Sequence, residues 1–406
     1  MVDPELLAPV LSLKGMHDPT LRQALAESID KAARRYGFFQ IVRFSLSFAV
    51  SGSLTPSGFE DRSRHLCWSV SLSLSLSPRP LAAAKSMAAH SYPHPAELIS
   101  RAFAITRLVF DLSKEEKEAL ARDPESNRGY TTMGGQVLDG AIATREDVKG
   151  VEVPNEEVGK ADMKEGYMIG AEISSTHEYF ARFSHGPNRY PTESQVPGMR
   201  ETMTEYFESL LALSKELMKV IALSLSLPSD TFDELSREPA AAIRLLHYPP
   251  AVAEIGAGAH TDFGLLTLLA TSGAPGLEVF DGKTWIPLEP AEGTFVVNVG
   301  DLLALYTGGE YKSSLHRVNN TSGVDRYSIP FFLDGNSDVL VSPVKGMGEG
   351  WGKLKAVTVE EHLRERCGFA SHRSWVFYSL IMYLIPRFDG TYTSDSAPGA
   401  MKAAVV

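Results

Sequence analysis

The fold of this chain is predicted from one set of residues: His260-Thr-Asp262, then His316, and then Arg326-Tyr-Ser328. Two imidazoles and one carboxylate fit one face of an octahedral ion and leave three adjacent positions open, which indicates an Fe(II) site. A His-X-Asp pair alone is common by chance. A distant histidine, with Arg-X-Ser starting ten residues after it, makes the combined pattern specific.

The chemical alternative for these ligands is zinc in a hydrolase, because three protein ligands and one water also describe catalytic zinc. The stretch offers no general base in a zinc motif, and Arg-X-Ser has no role beside zinc. Arg326 and Ser328 alternate along a predicted strand, so their side chains share one face. A planar guanidinium and a hydroxyl on one face suit a carboxylate ligand.

From about Arg244 to Leu333 the chain resembles the isopenicillin N synthase-like Fe(II)/2-oxoglutarate-dependent dioxygenases. The resemblance is carried by Arg244-Leu-Leu-His-Tyr248-Pro-Pro, His260-Thr-Asp262-Phe-Gly-Leu-Leu-Thr, Gly276-Leu-Glu-Val-Phe, Trp285-Ile-Pro-Leu, Val297-Asn-Val-Gly-Asp301, Lys312-Ser-Ser-Leu-His316-Arg-Val and Arg326-Tyr-Ser328-Ile-Pro-Phe-Phe. It implies a mainly β fold, a double-stranded β-helix (jelly roll) core with flanking helices.

The resemblance also implies the roles of single residues. The iron ligands and catalytic residues would be His260, Asp262 and His316. The residues that bind the distal carboxylate of 2-oxoglutarate would be Arg326, Ser328 and Tyr248. The cofactor would be Fe(II), with 2-oxoglutarate and O2 as cosubstrates, and ascorbate is a further candidate. The enzyme would hydroxylate or desaturate a small molecule of secondary metabolism and release succinate and CO2.

Two alternatives stay open at this point. One is an Fe(II) oxidase of the isopenicillin N synthase type, which keeps the iron ligands and Arg-X-Ser but needs no 2-oxoglutarate. The other is a catalytically inactive product of a mis-spliced gene model. Oxygen uptake with and without 2-oxoglutarate separates the first alternative from the dioxygenase.

Composition limits the partners that this chain is expected to have. Its 406 residues carry a formal net charge of −11, which argues against a nucleic-acid surface. Two cysteines, Cys67 and Cys367, predict a reducing compartment, and no secretory signal is visible at the N-terminus. The apolar run from Ser374 to Pro386 is shorter than the roughly 20 residues that span a bilayer. We expect a cytoplasmic monomer that binds a small-molecule substrate and neither nucleic acid nor membrane.

The predicted organisation has four parts. Residues 1–125 are an N-terminal helical and strand region, 126–240 are loops and a long packing helix, 241–340 are the jelly-roll core, and 341–406 are a C-terminal helix and tail. Residues 43–90 contain a Ser/Leu alternation at 69–77 that a TC dinucleotide repeat would encode, so we interpret them as retained intron. Residues 367–387 interrupt the C-terminal pattern and are interpreted as a second insert.

Hydrophobic periodicity and cap signals place the elements. Helices are predicted over residues 20–36, 95–122 with a second start capped by Ser113, 194–227, and 356–366 capped by Thr358. Strands are predicted over residues 38–42, 243–248, 265–270, 277–280, 284–288, 294–299 and 326–333. The turn Asp281-Gly282 predicts a hairpin between two of these strands.

Residues 123–192 look loop-rich and contain three motifs that resemble family landmarks. They are Asn127-Arg-Gly-Tyr130, Lys164-Glu-Gly-Tyr167 and His185-Gly-Pro-Asn188. Such motifs line the mouth of a substrate site or serve as structural turns, and both interpretations stay open. Three phenylalanines face the same choice between the pocket and the core: Phe263, Phe280 and Phe332. We expect His247 to be structural, and Asp301 to order a loop without touching iron.

Overall fold

The computed structural model describes residues 7–14, 16, 18–42, 95–136, 161–180, 182–250, 255–344 and 356–367. Its helices are α1 (Pro19–Arg35), α2 (Pro95–Asp111), α3 (Lys114–Ala119), α4 (Met199–Ser224), α5 (Asp233–Ser236), α6 (Asp301–Tyr306) and α7 (Val359–Arg366). Its strands are β1 (Val10–Leu11), β2 (Phe38–Val42), β3 (Gly129–Thr131), β4 (Glu165–Gly170), β5 (Pro239–Tyr248), β6 (Ile255–His260), β7 (Leu266–Thr271), β8 (Leu277–Phe280), β9 (Trp285–Pro287), β10 (Thr294–Val299), β11 (His316–Asn319), β12 (Arg326–Asn336), β13 (Leu340–Val341) and β14 (Val357–Thr358).

Two largely antiparallel sheets form the body of the fold. The large sheet has eight strands in the order β1-β2-β10-β7-β12-β5-β4-β3, and the small sheet has four in the order β6-β11-β8-β9. Most neighbouring strands in these orders, such as β2 and β10, β12 and β5, and β6 and β11, are far apart in sequence, as in a jelly roll. The predicted fold class is therefore confirmed.

Local signals explain where several helices begin. Ser113 and Glu116 form a capping box at α3, and Thr358 and Glu361 form another at α7. In each box the hydroxyl accepts from the N3 amide while the glutamate accepts from the cap amide, so two otherwise unpaired donors are satisfied. The Asp281-Gly282 hairpin joins β8 and β9 as predicted, with Gly282 at a φ of 96°.

The long helix α4 packs its apolar face against the large sheet and against α1 and α2. Tyr206, Leu210, Leu217 and Ile221 are all buried on this face, as the helical spacing predicted. The ring of Phe207 lies 5.5 Å from the ring of Phe331, which belongs to β12. Within the described ranges no helix is long and apolar enough to cross a membrane.

Seven strands lie where no strand was predicted: β1, β3, β4, β6, β11, β13 and β14. The prediction that residues 123–192 are loop-rich is thus incomplete, because β3 and β4 lie there and join the large sheet through β5. Strand β6 reads Ile-Gly-Ala-Gly-Ala-His, which has weak strand propensity. Gly256 serves packing, since a Cβ there would lie 2.7 Å from the ring of Tyr248.

The large sheet extends beyond the predicted core of residues 241–340. Strand β2 pairs with β10, and the side chain of Gln40 ties the two together by accepting from Ala291 N at 2.8 Å and Thr294 Oγ1 at 2.9 Å. The four-part division stays a prediction. The first suspected insert, residues 43–90, lies outside the described residues, as does the second from residue 368 onward.

Candidate metal centre and cavity

The two histidines of the predicted iron site lie side by side in the small sheet. His260 is the last residue of β6, His316 is the first of β11, and the two are paired in register. Asp262 follows two residues after β6. The nitrogen and oxygen atoms that these three residues can offer to a metal all lie within 4.8 Å of one another.

The backbone fixes which nitrogen of each histidine faces Asp262. Nδ1 of His260 donates to Gly258 O at 2.7 Å, and Nδ1 of His316 donates to Ser314 O at 3.1 Å. Because a carbonyl only accepts, the proton is on Nδ1 and the lone pair of Nε2 is free for a metal. The Nε2 atoms lie 3.9 Å (His260) and 3.7 Å (His316) from Asp262 Oδ1.

Strands of the large sheet hold the carboxylate of Asp262. Its Oδ2 accepts from Thr267 Oγ1 of β7 at 2.5 Å and from Asn298 Nδ2 of β10 at 2.7 Å. Its backbone oxygen accepts from Asp301 N at 2.8 Å. With Oδ2 engaged, Oδ1 is the oxygen that faces the two imidazoles. The centre is therefore built from both sheets at once.

The charge states of these groups suit a divalent cation. Burial and the neighbouring His316 ring lower the pKa of His260 to about 3, so its imidazole is neutral at pH 7. Burial alone would raise the pKa of Asp262, but His316, His260 and the hydrogen bonds from Asn298 and Thr267 outweigh it and lower that pKa. Neutral imidazoles and an ionised carboxylate are the forms that bind metal.

A cavity of about 150 Å³ lies between the sheets. All six residues predicted for the site contribute to its lining: His260, Asp262, His316, Arg326, Ser328 and Tyr248. The cavity therefore brings together groups that are up to 80 positions apart in the chain.

Arg326 is buried with unused hydrogen-bonding capacity. It is 1% exposed, its Nη1 donates to Ser328 Oγ at 3.4 Å, and its Nε has no hydrogen-bond partner within the described structure. Its guanidinium carbon lies 4.9 Å from the ring centroid of Tyr248, the residue opposite it on β5. A buried guanidinium with unfilled donors costs free energy unless an anion meets it. The lining residues thus fit a small dicarboxylate as well as a metal.

A second group of cations lines the cavity on β5, directly before β4 and in the loop before β3. These residues are Arg244, Lys164 and Arg122, and the sequence did not predict them as a cluster. Lys164 Nζ donates to Asp162 Oδ2 at 2.6 Å in a pair that is at most 3% exposed. Burial lowers the pKa of Lys164 to about 8, so it stays mainly protonated at pH 7. Arg244 donates to the amide oxygen of Gln136 at 2.6 Å.

The landmark motifs divide between the cavity and the scaffold. Asn127 of the first motif and Lys164 of the second motif line the cavity, which supports a position for these two residues at the substrate site. By contrast Asn188 exchanges two hydrogen bonds with the backbone of Gly170 and serves as a structural turn. Tyr130 donates to Glu165 Oε2 at 2.6 Å.

The remaining expectations have clear outcomes. Phe263 and Phe332 line the cavity, whereas Phe280 packs against Trp285 at 5.2 Å. His247 is structural, because its two nitrogens contact Glu165 at 2.8 Å and Asp325 at 2.7 Å. Asp301 accepts from Ser313 Oγ at 2.6 Å and Thr261 Oγ1 at 3.1 Å, which orders the loop beside the metal ligands.

Comparison with known proteins identifies two families along the chain. Residues 239–335 match the 2OG-Fe(II) oxygenase superfamily, and residues 88–193 match the family described as non-haem dioxygenase in morphine synthesis N-terminal. A 2-oxoglutarate-Fe(II) type oxidoreductase, hxnY, of Emericella nidulans is 38% identical over 257 residues, covering 60% of this chain and 68% of the relative. Clavatol oxidase claD of Penicillium crustosum is 35% identical over 291 residues, covering 67% and 82%.

Among solved structures, a full-length protein of Neurospora crassa in complex with alpha-KG and thymine has a similar architecture. The TM-score is 0.66 at 24% identity, covering 91% of this chain and 99% of that one. At this level of identity the likeness shows the fold alone.

Proposed function

This chain belongs to the 2OG-Fe(II) oxygenase superfamily, and we propose that it oxidises a small-molecule metabolite with His260, Asp262 and His316 as its iron ligands. It is an Fe(II)- and 2-oxoglutarate-dependent dioxygenase. The observation that carries the residue assignment is that the three ligand groups converge within 4.8 Å on the wall of one cavity. The same cavity is lined by a buried arginine with unfilled donors.

For the cosubstrate, we assign the distal carboxylate of 2-oxoglutarate to Arg326, Ser328 and Tyr248. The guanidinium offers a planar pair of donors, and the hydroxyl of Ser328 shares its face of β12. Tyr248 lies opposite Arg326 and positions it through its ring face. Arg326 is 1% exposed, so this recognition takes place away from solvent, where a charge-assisted hydrogen bond is strongest.

Bound Fe(II) and 2-oxoglutarate supply the oxidising chemistry, which consumes O2 and releases succinate and CO2. The protein supplies geometry and exclusion of water. Asn298 and Thr267 fix the Asp262 carboxylate, and the carbonyls of Gly258 and Ser314 fix the imidazole tautomers. The metabolite is held in the remaining part of the cavity and leaves hydroxylated or desaturated.

Anaerobic addition of Fe(II) and 2-oxoglutarate tests this assignment. We expect a visible metal-to-ligand charge-transfer band in the wild type, loss of the band in Asp262→Ala, and a need for far more 2-oxoglutarate in Arg326→Gln. The exposed Arg237→Gln variant is the matched control for loss of an arginine. A band in wild type that Arg326→Gln leaves unchanged in its 2-oxoglutarate dependence would reject the cosubstrate assignment.

Oxygen uptake then addresses the oxidase alternative. With an active substrate, the dioxygenase takes up O2 only when 2-oxoglutarate is present, whereas an oxidase needs none. The monomeric state, the cytoplasmic location and a role for ascorbate stay predictions.

A further inference from the structure

We propose that Arg244 and Arg122 form a second anion site in the cavity, which binds a carboxylate of the organic substrate. The inference rests on the proposed function, because it takes this cavity as the place where substrate binds. It narrows the substrate class to small organic acids with an apolar body.

Arg244 lies on the cavity face of β5. It precedes Leu246 and Tyr248, the β5 residues that pair with Ser328 and Arg326. Ser328 is paired with Leu246, and Arg244 is two residues before Leu246, so it stands about 7 Å along the strand. Gly166 of β4 makes room for it, since a Cβ there would lie 3.0 Å from Arg244 Nε. The guanidinium therefore passes close to the backbone of the neighbouring strand and contributes to the cavity lining.

The guanidinium of Arg244 has no acidic hydrogen-bond partner in the described part of the chain. Its acceptor there is the neutral amide of Gln136. Lys164, which directly precedes β4, makes a direct contrast because Asp162 neutralises it at 2.6 Å. A partly buried cation whose acceptor is an amide is stabilised much less than one that is paired with a carboxylate.

Arg122 brings a second guanidinium to the same wall. Its Nη1 donates to Asn127 Oδ1 at 3.2 Å, and both residues line the cavity. Burial, and then the positive charge of Arg122, lower the pKa of Arg244, which means that the two half-buried cations repel each other. A carboxylate bound between them would relieve this repulsion and give Arg244 an ionised acceptor.

Among the described residues that line the cavity, the acidic ones are Asp262 and Asp334, and Asp334 lies against Gly264 on the metal side. Asp162 also favours the charged form of Arg244 electrostatically, but its hydrogen-bonded ion pair is with Lys164. Most of the remaining lining is apolar and includes Met168, Leu246 and Phe332. This arrangement would hold an acid by its carboxylate and leave its apolar body toward the metal.

The test uses benzoate and benzamide, which have nearly the same shape and differ in charge. The full chain is loaded with Mn(II) in place of Fe(II) and with saturating 2-oxoglutarate, so that the Arg326 site is occupied. Paramagnetic relaxation of the probe protons then reports binding near the metal. The variants are Arg244→Gln and Arg122→Gln, with Arg237→Gln on the exposed surface as control.

We expect wild type and Arg237→Gln to bind benzoate at least about tenfold more tightly than benzamide, as charge-assisted hydrogen bonds imply. Arg244→Gln should remove most of that preference, and Arg122→Gln part of it. Equal binding of the two probes by wild type, absence of benzoate binding, or a preference that survives both substitutions would overturn the proposal. If Arg244→Gln does not fold by circular dichroism, Arg122→Gln alone decides.

The anaerobic Fe(II)·2-oxoglutarate band separates this proposal from the one on which it rests. A normal band in wild type and Arg244→Gln, without any benzoate preference, rejects the second anion site only. No band in wild type rejects the iron and cosubstrate assignment, and the second anion site with it.

Discussion

The cavity has a metal side, with His260, Asp262 and His316, and an arginine side, with Arg326 and Arg244. The two sides differ in how many of their polar groups already have hydrogen-bond partners within the protein. At the metal side, Oδ2 of Asp262 accepts two hydrogen bonds and both imidazole Nδ1 atoms donate to backbone carbonyls. At the arginine side, within the described part of the chain, Arg326 Nε has no hydrogen-bond partner, and Arg244 donates to the neutral amide of Gln136.

The protein thus fixes the geometry of the metal side, whereas at the arginine side it supplies positive charge. The metal side is oriented before any ion binds, because the side-chain atoms that do not face the ion are already engaged. The arginine side keeps buried positive charge that an anionic ligand must complete. We therefore expect mutations at the metal side to change iron retention, and mutations at the arginine side to change concentration dependence.

The largest expected effect is at Asp262. Replacement by alanine removes the charged ligand and leaves two neutral imidazoles, so iron retention and turnover should fall to background. Metal analysis after gel filtration and an assay of succinate formation measure the two losses. The paired control is Asp301→Asn, since Asp301 orders the adjacent loop and should not be needed for iron binding. An Asp262→Ala protein that keeps its iron would show that the triad is misassigned.

The next effect is at Arg326. Its replacement by glutamine should weaken 2-oxoglutarate binding by about 2–5 kcal/mol, as for truncation of one partner in a buried charge pair. The 2-oxoglutarate concentration for half-maximal activity then rises about 30-fold or more, while the iron content is unchanged. Titration of 2-oxoglutarate in the succinate assay measures this. Loss of iron in this variant would break the proposed division between the two sides.

A smaller effect is expected at Asn298. Its replacement by alanine removes one of the two side-chain hydrogen bonds to Asp262 Oδ2 and frees the carboxylate to rotate. Iron affinity should fall about 10- to 100-fold, the usual range for a group that orients a metal ligand. Competition with a chromogenic chelator measures the affinity. At saturating iron the 2-oxoglutarate concentration that gives half-maximal activity should match that of wild type. A changed value would contradict the proposed division between the metal side and the arginine side.

The smallest effect is at His247, on the opposite face of β5 from Arg244. Burial disfavours its protonation, but hydrogen bonds to Glu165 and Asp325 outweigh burial and raise its pKa. Since the folded pKa lies above the unfolded value, the stabilisation is full below about pH 6.5 and is lost as pH rises through the folded pKa.

His247→Gln should therefore lose about 1 kcal/mol relative to wild type near pH 5.5 and less near pH 9. Urea unfolding at the two pH values measures the difference. Equal losses at both would mean that the charge of His247 contributes nothing. His247 has both of its charged partners within the protein, so its charge serves stability, whereas Arg244 donates to the neutral amide of Gln136.

Local chemistry in the sequence was sufficient for much of the fold. The capping boxes at Ser113 and Thr358, the Asp281-Gly282 turn and the apolar stripe of α4 each act within a few residues, so they are readable without tertiary context. The proposed metal ligands could be singled out because a metal demands particular residue types. The proposed cosubstrate pair could be singled out because it alternates on one strand.

The remainder depends on which strands become neighbours. Strand β6, with its glycines and alanines, is a strand because β11 pairs with it. Thr267 and Asn298 look like ordinary residues of core strands, and their role exists only because β7 and β10 lie together beside Asp262. The position of Arg244 likewise depends on the space left by Gly166, which lies on β4, a strand that was not predicted from the sequence.

The bond between Gln40 and Thr294 has a consequence for biosynthesis. These partners are 254 residues apart, and translation proceeds at about 5–20 residues per second, so β2 waits roughly 10–50 s for β10 to be made. Throughout that interval β2 has only the short strand β1 as a possible partner, and its apolar side chains lack the rest of the large sheet. Phe38, which packs edge-on against His316, takes its place only afterwards. The proposed iron site can therefore be complete only after His316 has been synthesised.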